Sequence, residues 1–188
     1  HPLLETYVKE VLTRFADDDR ILAWDLYNEP TNGGLAFRSM PLLRKVVKWA
    51  REVEISQPVT IGVWSGDEEL RRFSIGNSDI VSFHCYSDAA YTREMCRQLK
   101  AENRPVICTE WMNRPTGSTI ASVLPVFAEE GVGCMLWGLV NGKTQTDLPW
   151  GHRPEHGEYT GPWQHDIFRG DFTPYDPSEI DLLKKYCK

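Results

Sequence analysis

Two acids stand where acids are expensive. Glu29 follows the apolar run ILAWDLY (residues 21–27) after Asn28, and Pro30 ends that segment. Glu110 closes a second apolar run, PVICTEW (residues 105–111), with Trp111 beside it. Burying an unpaired carboxylate is costly, so each acid is either a solvated turn residue or a group held for chemistry. A pair of carboxylates suits hydrolysis of a glycosidic bond, in which one acid protonates the leaving oxygen and the other works from the far side of the ring. Other reactive or aromatic residues close similar runs. Trp64 ends VTIGVW, His84 and Tyr86 end IVSFHCY, and Trp137 lies in VGCMLWGLV.

Something must bring these run ends together. Leu3, Leu4, Tyr7, Val8, Val11, Leu12 and Phe15 recur at helical spacing, which predicts an opening helix with a buried stripe. Residues 21–27 then read as a strand buried on both faces. Helix signals resume at Ser39, and strands follow over 59–64, 80–86, 105–111 and 132–140. Between them come helices from about Asp67, around Tyr91, Met95 and Leu99, and from a Ser118 cap to a Gly131 stop. Asp176-Pro177-Ser178-Glu179 is a capping-box-like start to the last helix. Trp24 and Trp49 fall on apolar stripes and are assigned to the core. Asp25, inside the first strand, is assigned a structural hydrogen-bonding role.

Strands alternating with helices imply a parallel sheet. An open doubly wound sheet would carry a glycine-rich phosphate loop after its first strand, and none is present. A (β/α)₈ barrel places its functional side chains at the C-terminal ends of several strands, where these residues fall. The expected fold is therefore a parallel (β/α)₈ TIM barrel. Five strands are visible against the eight of a full barrel, so residues 1–188 read as one partial catalytic domain. Strands three places apart in such a barrel can bring two carboxyls to the ~5–5.5 Å of a retaining mechanism. Carboxyls that close titrate in coupled steps.

Composition narrows the partners. The net charge is −6 with no dense basic run, which argues against a nucleic-acid or anionic-membrane surface. No apolar stretch approaches the roughly 20 residues of a membrane span. The five cysteines, Cys85, Cys96, Cys108, Cys134 and Cys187, show no C-x-x-C spacing and read as small buried hydrophobes. The loop over 150–166 holds His152, Glu155, His156, His165 and Asp166, but Pro154 and Gly157 break any helical ligand spacing. No metal or cofactor is expected, and the loop is expected to wall the substrate cleft. The opening His1-Pro2 reads as a processed form or a fragment.

WDLYNEP, then FHCY, CTEWM and MLWGLVNG, resembles in order the strand-end motifs of the clan A glycoside hydrolases, most closely the cellulase-like family five. The resemblance continues through DIFRGDFTPYDPSEIDLL. It implies that Glu29 is the general acid/base and Glu110 the nucleophile, with Tyr86 holding the nucleophile. Asn28 would bind the sugar 2-hydroxyl, His84 matches the family's histidine, and Trp137 would lie under the sugar. Trp64 and Trp111, at strand ends, divide evenly between sugar platforms and core. The implied activity is retaining hydrolysis of a plant-type β-linked oligo- or polysaccharide by a secreted or periplasmic protein. Transglycosylation by the same residues and a non-catalytic carbohydrate-binding remnant are the alternatives. The family also takes an arginine and a histidine from its second and third strands, which have no match here. Little turnover is therefore expected of the chain alone. The edges at 21–27 and 132–140 are expected to pair with a further barrel segment or another copy.

Overall fold

The computed structural model describes residues 1–30, 32–35, 38–64 and 67–186. The chain packs as two compact units, one of His1–His84 with Asn103–Ile107 and one of Cys85–Glu102 with Cys108–Lys188.

The first unit opens on helix α1 (Pro2–Arg14), with a proline in its first turn. Of its apolar stripe only Leu12 is buried, while Leu3 is 87% exposed and Tyr7 64%. Strand β1 (Trp24–Asn28) is likewise only half-buried, not covered on both faces. Among the described residues it pairs with a single strand, β2 (Val59–Gly62), in parallel register Trp24↔Val59 and Asp25↔Thr60. β2 is buried throughout. It leads through a bridge between Val63 and Phe83 to β3 (Val81–Cys85). Helix α2 (Met40–Arg51) buries Met40, Leu43 and Val47 against Ile61 and Leu70, with Leu26, Tyr27 and Phe73 packed around them. Helix α3 (Glu68–Gly76) starts at Asp67, whose carboxylate accepts from the Glu69 and Leu70 amides. Its far end is held by Arg104, which donates to the carbonyls of Ile75 and Ser78 at 2.6 Å each.

The second unit carries α4 (Ala89–Lys100), most of β4 (Val106–Trp111), α5 (Ile120–Glu130), β5 (Gly133–Cys134) and α6 (Pro177–Tyr186). α5 begins at Thr119 rather than Ser118. The Thr119 side chain accepts from the Ser122 amide, and Ser122 reaches back to the Thr119 amide. Gly131, at φ +65°, ends the helix as expected. Arg93 and Arg97 tie α4 to Glu130 of α5. α6 starts at Asp176, which accepts from the Ser178 amide at 2.8 Å.

The fifth strand is far shorter than its apolar run suggests. Only Gly133 and Cys134 are regular strand. Beyond them Met135 and Trp137 still donate to the carbonyls of Cys108 and Trp111, but Gly138 at φ +82° turns the backbone out of register. Cys85, Cys96 and Cys108 are buried. Burial pushes the Cys96 thiol up to about 12 and the Cys108 thiol well above its ordinary value, so neither supplies a thiolate near neutral pH. Cys187 lies outside the described residues. No described helix is long and apolar enough to cross a membrane.

Candidate active site

In the first unit the chemistry gathers at Glu29, directly after β1. Its backbone sits at φ +43°, a left-handed conformation that a side chain-bearing residue adopts only when its surroundings impose it. The turn is closed by the Asn32 amide, which donates to the Glu29 carbonyl at 2.9 Å. The Ser39 hydroxyl donates to the neighbouring Pro30 carbonyl. Glu29 is buried, and both its carboxyl oxygens are engaged. Oε1 lies 2.6 Å from Nδ1 of His84, and Oε2 accepts from the Asn32 side-chain amide. His84 comes from β3 and is buried.

Gly62 makes room for that histidine. A methyl group there would lie 3.1 Å from His84 Nε2 and 3.2 Å from Asp25 Oδ2. Asp25 Oδ1 accepts from the amides of Tyr27 and Gly62, each at 3.2 Å, where the β1–β2 register slips. That is the structural role read for it from sequence. Crowding by protein atoms raises its pKa against the pull of the two amides and of His84. Asn28, the last residue of β1, is exposed, and Trp64 is half-buried just past β2.

In the second unit Glu110 is buried near the end of β4, and its Oε2 accepts from the Tyr86 hydroxyl at 2.7 Å. Tyr86 follows β3. Its carbonyl accepts from the Thr116 hydroxyl at 3.1 Å. Its ring meets Trp150 edge-on at 4.7 Å and His165 at 5.4 Å. Adjacent strand residues point to opposite faces, so Trp111 turns away from Glu110. It is fully buried, edge-on to Phe127 of α5 at 5.2 Å. The even choice left open for Trp111 therefore falls to the core, and it offers no face to a sugar. Trp137 is 43% exposed.

The chain after Trp111 is stitched to the last loop. Met112, wholly buried, sits at φ +81°, and its carbonyl accepts from His165 Nδ1 at 2.6 Å. The Arg114 amide donates to the Gln164 carbonyl, and its guanidinium to the carbonyls of Trp163 and Asp166. That guanidinium also forms a buried two-pronged ion pair with Glu179 of α6, at 2.8 and 2.5 Å. Gly138 admits the loop. A methyl group there would come within 2.7 Å of Asp166 Oδ1 and 2.9 Å of His165 Cβ.

Sequence reading passed over Asn32, Arg114 and Trp150, and met His165 only as a candidate metal ligand. Asn32 had a local signal, a polar residue in the turn after Asn28-Glu29-Pro30, whereas Arg114 and His165 act across long sequence separations. Among the described residues no three of the loop's histidines and acids gather as a metal site. His152 and His156 instead pack ring to ring at 5.7 Å.

Comparison with known proteins places this geometry in a family context. Residues 3–143 match the model of the family described as Cellulase (glycosyl hydrolase family 5). No curated protein matches significantly. Among solved structures, the Faecalibacterium prausnitzii beta-glucuronidase superposes with a TM-score of 0.69 at 15% identity, over 99% of this chain and 34% of that one. The Ruminococcus gnavus beta-glucuronidase in complex with uronic isofagomine gives 0.67 at 18% identity, over 97% and 34%. The chain thus spans about a third of the length of these structures. The likeness is one of fold, parallel strands alternating with helices as part of a TIM barrel.

Proposed function

Because the chain belongs to glycosyl hydrolase family 5, the cellulase family, we propose that it is the catalytic part of a retaining β-glycosidase in which Glu29 is the acid/base and Glu110 the nucleophile. The observation that supports this division is a hydrogen bond at each carboxyl. Glu29 meets His84, a group that can itself gain or lose a proton, and Glu110 meets the neutral hydroxyl of Tyr86. An acid/base must change protonation twice per turnover, whereas a nucleophile must stay ionised and aimed.

In the first step Glu29 protonates the glycosidic oxygen while Glu110 attacks the anomeric carbon, giving a glycosyl ester and the free alcohol. In the second, Glu29 takes a proton from water, and that water displaces Glu110 with overall retention. The Tyr86 hydroxyl donates to the Glu110 carboxyl and fixes its orientation. Asn28 would bind the sugar 2-hydroxyl, and the exposed faces of Trp137 and Trp64 would carry sugar rings. Acting on a plant-type β-linked glycan, the site needs no cofactor. We infer that turnover requires three further barrel strands, supplied in cis or in trans. The exposed apolar face of α1 and the half-covered β1 suit such a neighbour.

The test compares leaving groups with the barrel completed. Glu110→Gln should lose at least about 10⁴-fold in turnover on all substrates. Glu29→Ala should retain cleavage of activated aryl β-glycosides, and azide should speed it with a β-glycosyl azide as product. Azide rescue of Glu110→Gln with retention would reverse the assignment.

A further inference from the structure

The residue that the mechanism leaves unused is His165. It is 1% exposed, bonded on one side to the segment that follows Glu110 and packed on the other against Tyr86. Nδ1 must carry its proton, because it faces the Met112 carbonyl at 2.6 Å and a carbonyl only accepts. That bond holds a buried, non-glycine residue at φ +81°, a conformation costing about 1–3 kcal/mol, two residues after Glu110. On its other side the imidazole ring packs on Tyr86 at 5.4 Å and on Trp150 at 5.3 Å. Tyr86 in turn donates to the Glu110 carboxyl.

A residue needed only to fill space would be apolar, and one needed only to cap a carbonyl could be an amide. The imidazole does both, and it does so at a cost. Its Nε2 is buried without a hydrogen-bond partner among the described residues. Burial, with the nearby positive charge of Arg114, outweighs the Met112 hydrogen bond and lowers the His165 pKa, which keeps the ring neutral.

We propose that His165 is a positioning residue for the nucleophile. It clamps the strained Met112 peptide and the Tyr86 ring together, so that the Tyr86 hydroxyl stays aimed at Glu110. The proposal rests on the reading of Glu110 as nucleophile only for its kinetic consequence, since the clamp itself can be measured without substrate.

The experiment follows the Glu110 carboxyl by carbon-13 NMR, assigned with Glu110→Gln, in the 188-residue chain. His165→Asn keeps a donor for Met112 but removes the ring, and His165→Phe keeps a ring but removes the donor. A hydrogen bond donated to a carboxylate favours its ionised form, so weakening it raises the titration midpoint. Tyr86→Phe should raise the Glu110 midpoint by about one pH unit. Each His165 variant should raise it measurably, by up to that amount, and should add nothing in the Tyr86→Phe background. An unchanged midpoint in a folded His165 variant, or full additivity with Tyr86→Phe, would overturn the proposal.

If neither variant folds, the parent chain and Tyr86→Phe still decide. Nitrogen-15 spectra should show His165 protonated on Nδ1 at neutral pH, with its signals shifted by Tyr86→Phe. The opposite tautomer, or insensitivity to Tyr86→Phe, would overturn it. In the completed barrel the His165 variants should lower kcat with KM little changed. Coupling by NMR with no glycosidase activity would leave the clamp standing and remove the proposed function instead.

Discussion

The two candidate carboxyls, one in each unit, are held in opposite ways. Glu29 is fixed locally, by a strained turn, by the Asn32 amide three residues on, and by one long-range partner, His84. Glu110 stands in a regular strand, and what fixes it comes from afar. Tyr86, then His165, then the loop locked to α6 by Arg114 and Glu179 form successive supports. On the proposed assignment the acid/base faces an imidazole across 2.6 Å. On the same assignment the nucleophile is aimed by a frame of rings and a buried ion pair. The first arm is economical in residues, and the second spreads its support over much of its unit.

If the second arm depends on its frame, breaking the frame should have the largest effect. Arg114→Ala leaves Glu179 buried without its partner and frees two carbonyls, those of Trp163 and Asp166. The expected loss is about 3–5 kcal/mol, measured by chemical denaturation. Adding Glu179→Ala should recover part of that loss, and full additivity in the double-mutant cycle would show that the pair does not act as a unit.

The two glycines sharpen the contrast. Gly138→Ala places a methyl group 2.7 Å from Asp166 and 2.9 Å from His165 Cβ at φ +82°, and should cost about 1–3 kcal/mol. Gly62 has no such φ, and its methyl would meet His84 and Asp25 at 3.1 and 3.2 Å. Gly62→Ala should therefore cost less, below about 1.5 kcal/mol, and act mainly on Glu29 through His84. Equal losses in thermal unfolding would contradict the difference drawn between the arms.

The smallest effect concerns Asp166, which is buried. Burial, aided by the nearby Asp147 charge, raises its pKa against the Thr146 hydrogen bond. A raised carboxyl pKa means that the unfolded chain ionises first, so the group weakens the fold as pH climbs past the ordinary value of 3.8. Asp166→Asn should be more stable than the parent at neutral pH. The gap should close as pH falls below 3.8. A gap independent of pH would mean that titration of Asp166 plays no part.

Much of this was legible in the sequence, and the misses have physical causes. Helical stripes, strand runs and the alternation that fixes a parallel sheet are local patterns, and they located Glu29, His84, Tyr86 and Glu110 at strand ends. Trp111 could have been settled by the two-residue strand period, since a strand cannot turn Glu110 and its neighbour to one face. VGCMLWGLV is apolar enough for a strand, yet β5 ends early, with Gly138 at φ +82° against the last loop and Met135 and Leu139 exposed. The stripe of α1 and both faces of β1 were overread for another reason, because apolarity reports what a surface would bury and not what covers it. Arg114 and His165 had no local signature, since their partners lie some fifty residues away.

As the proposed nucleophile, Glu110 should form a covalent bond with the sugar. A 2-deoxy-2-fluoro β-glycoside with a good leaving group slows the second step more than the first, so it should accumulate the ester in the completed barrel. Peptide mapping by mass spectrometry should then find one fluoroglycosyl group on the peptide containing Glu110, absent in Glu110→Gln and present in Glu29→Ala. A label on Glu29, or turnover with no label on either residue, would contradict the account.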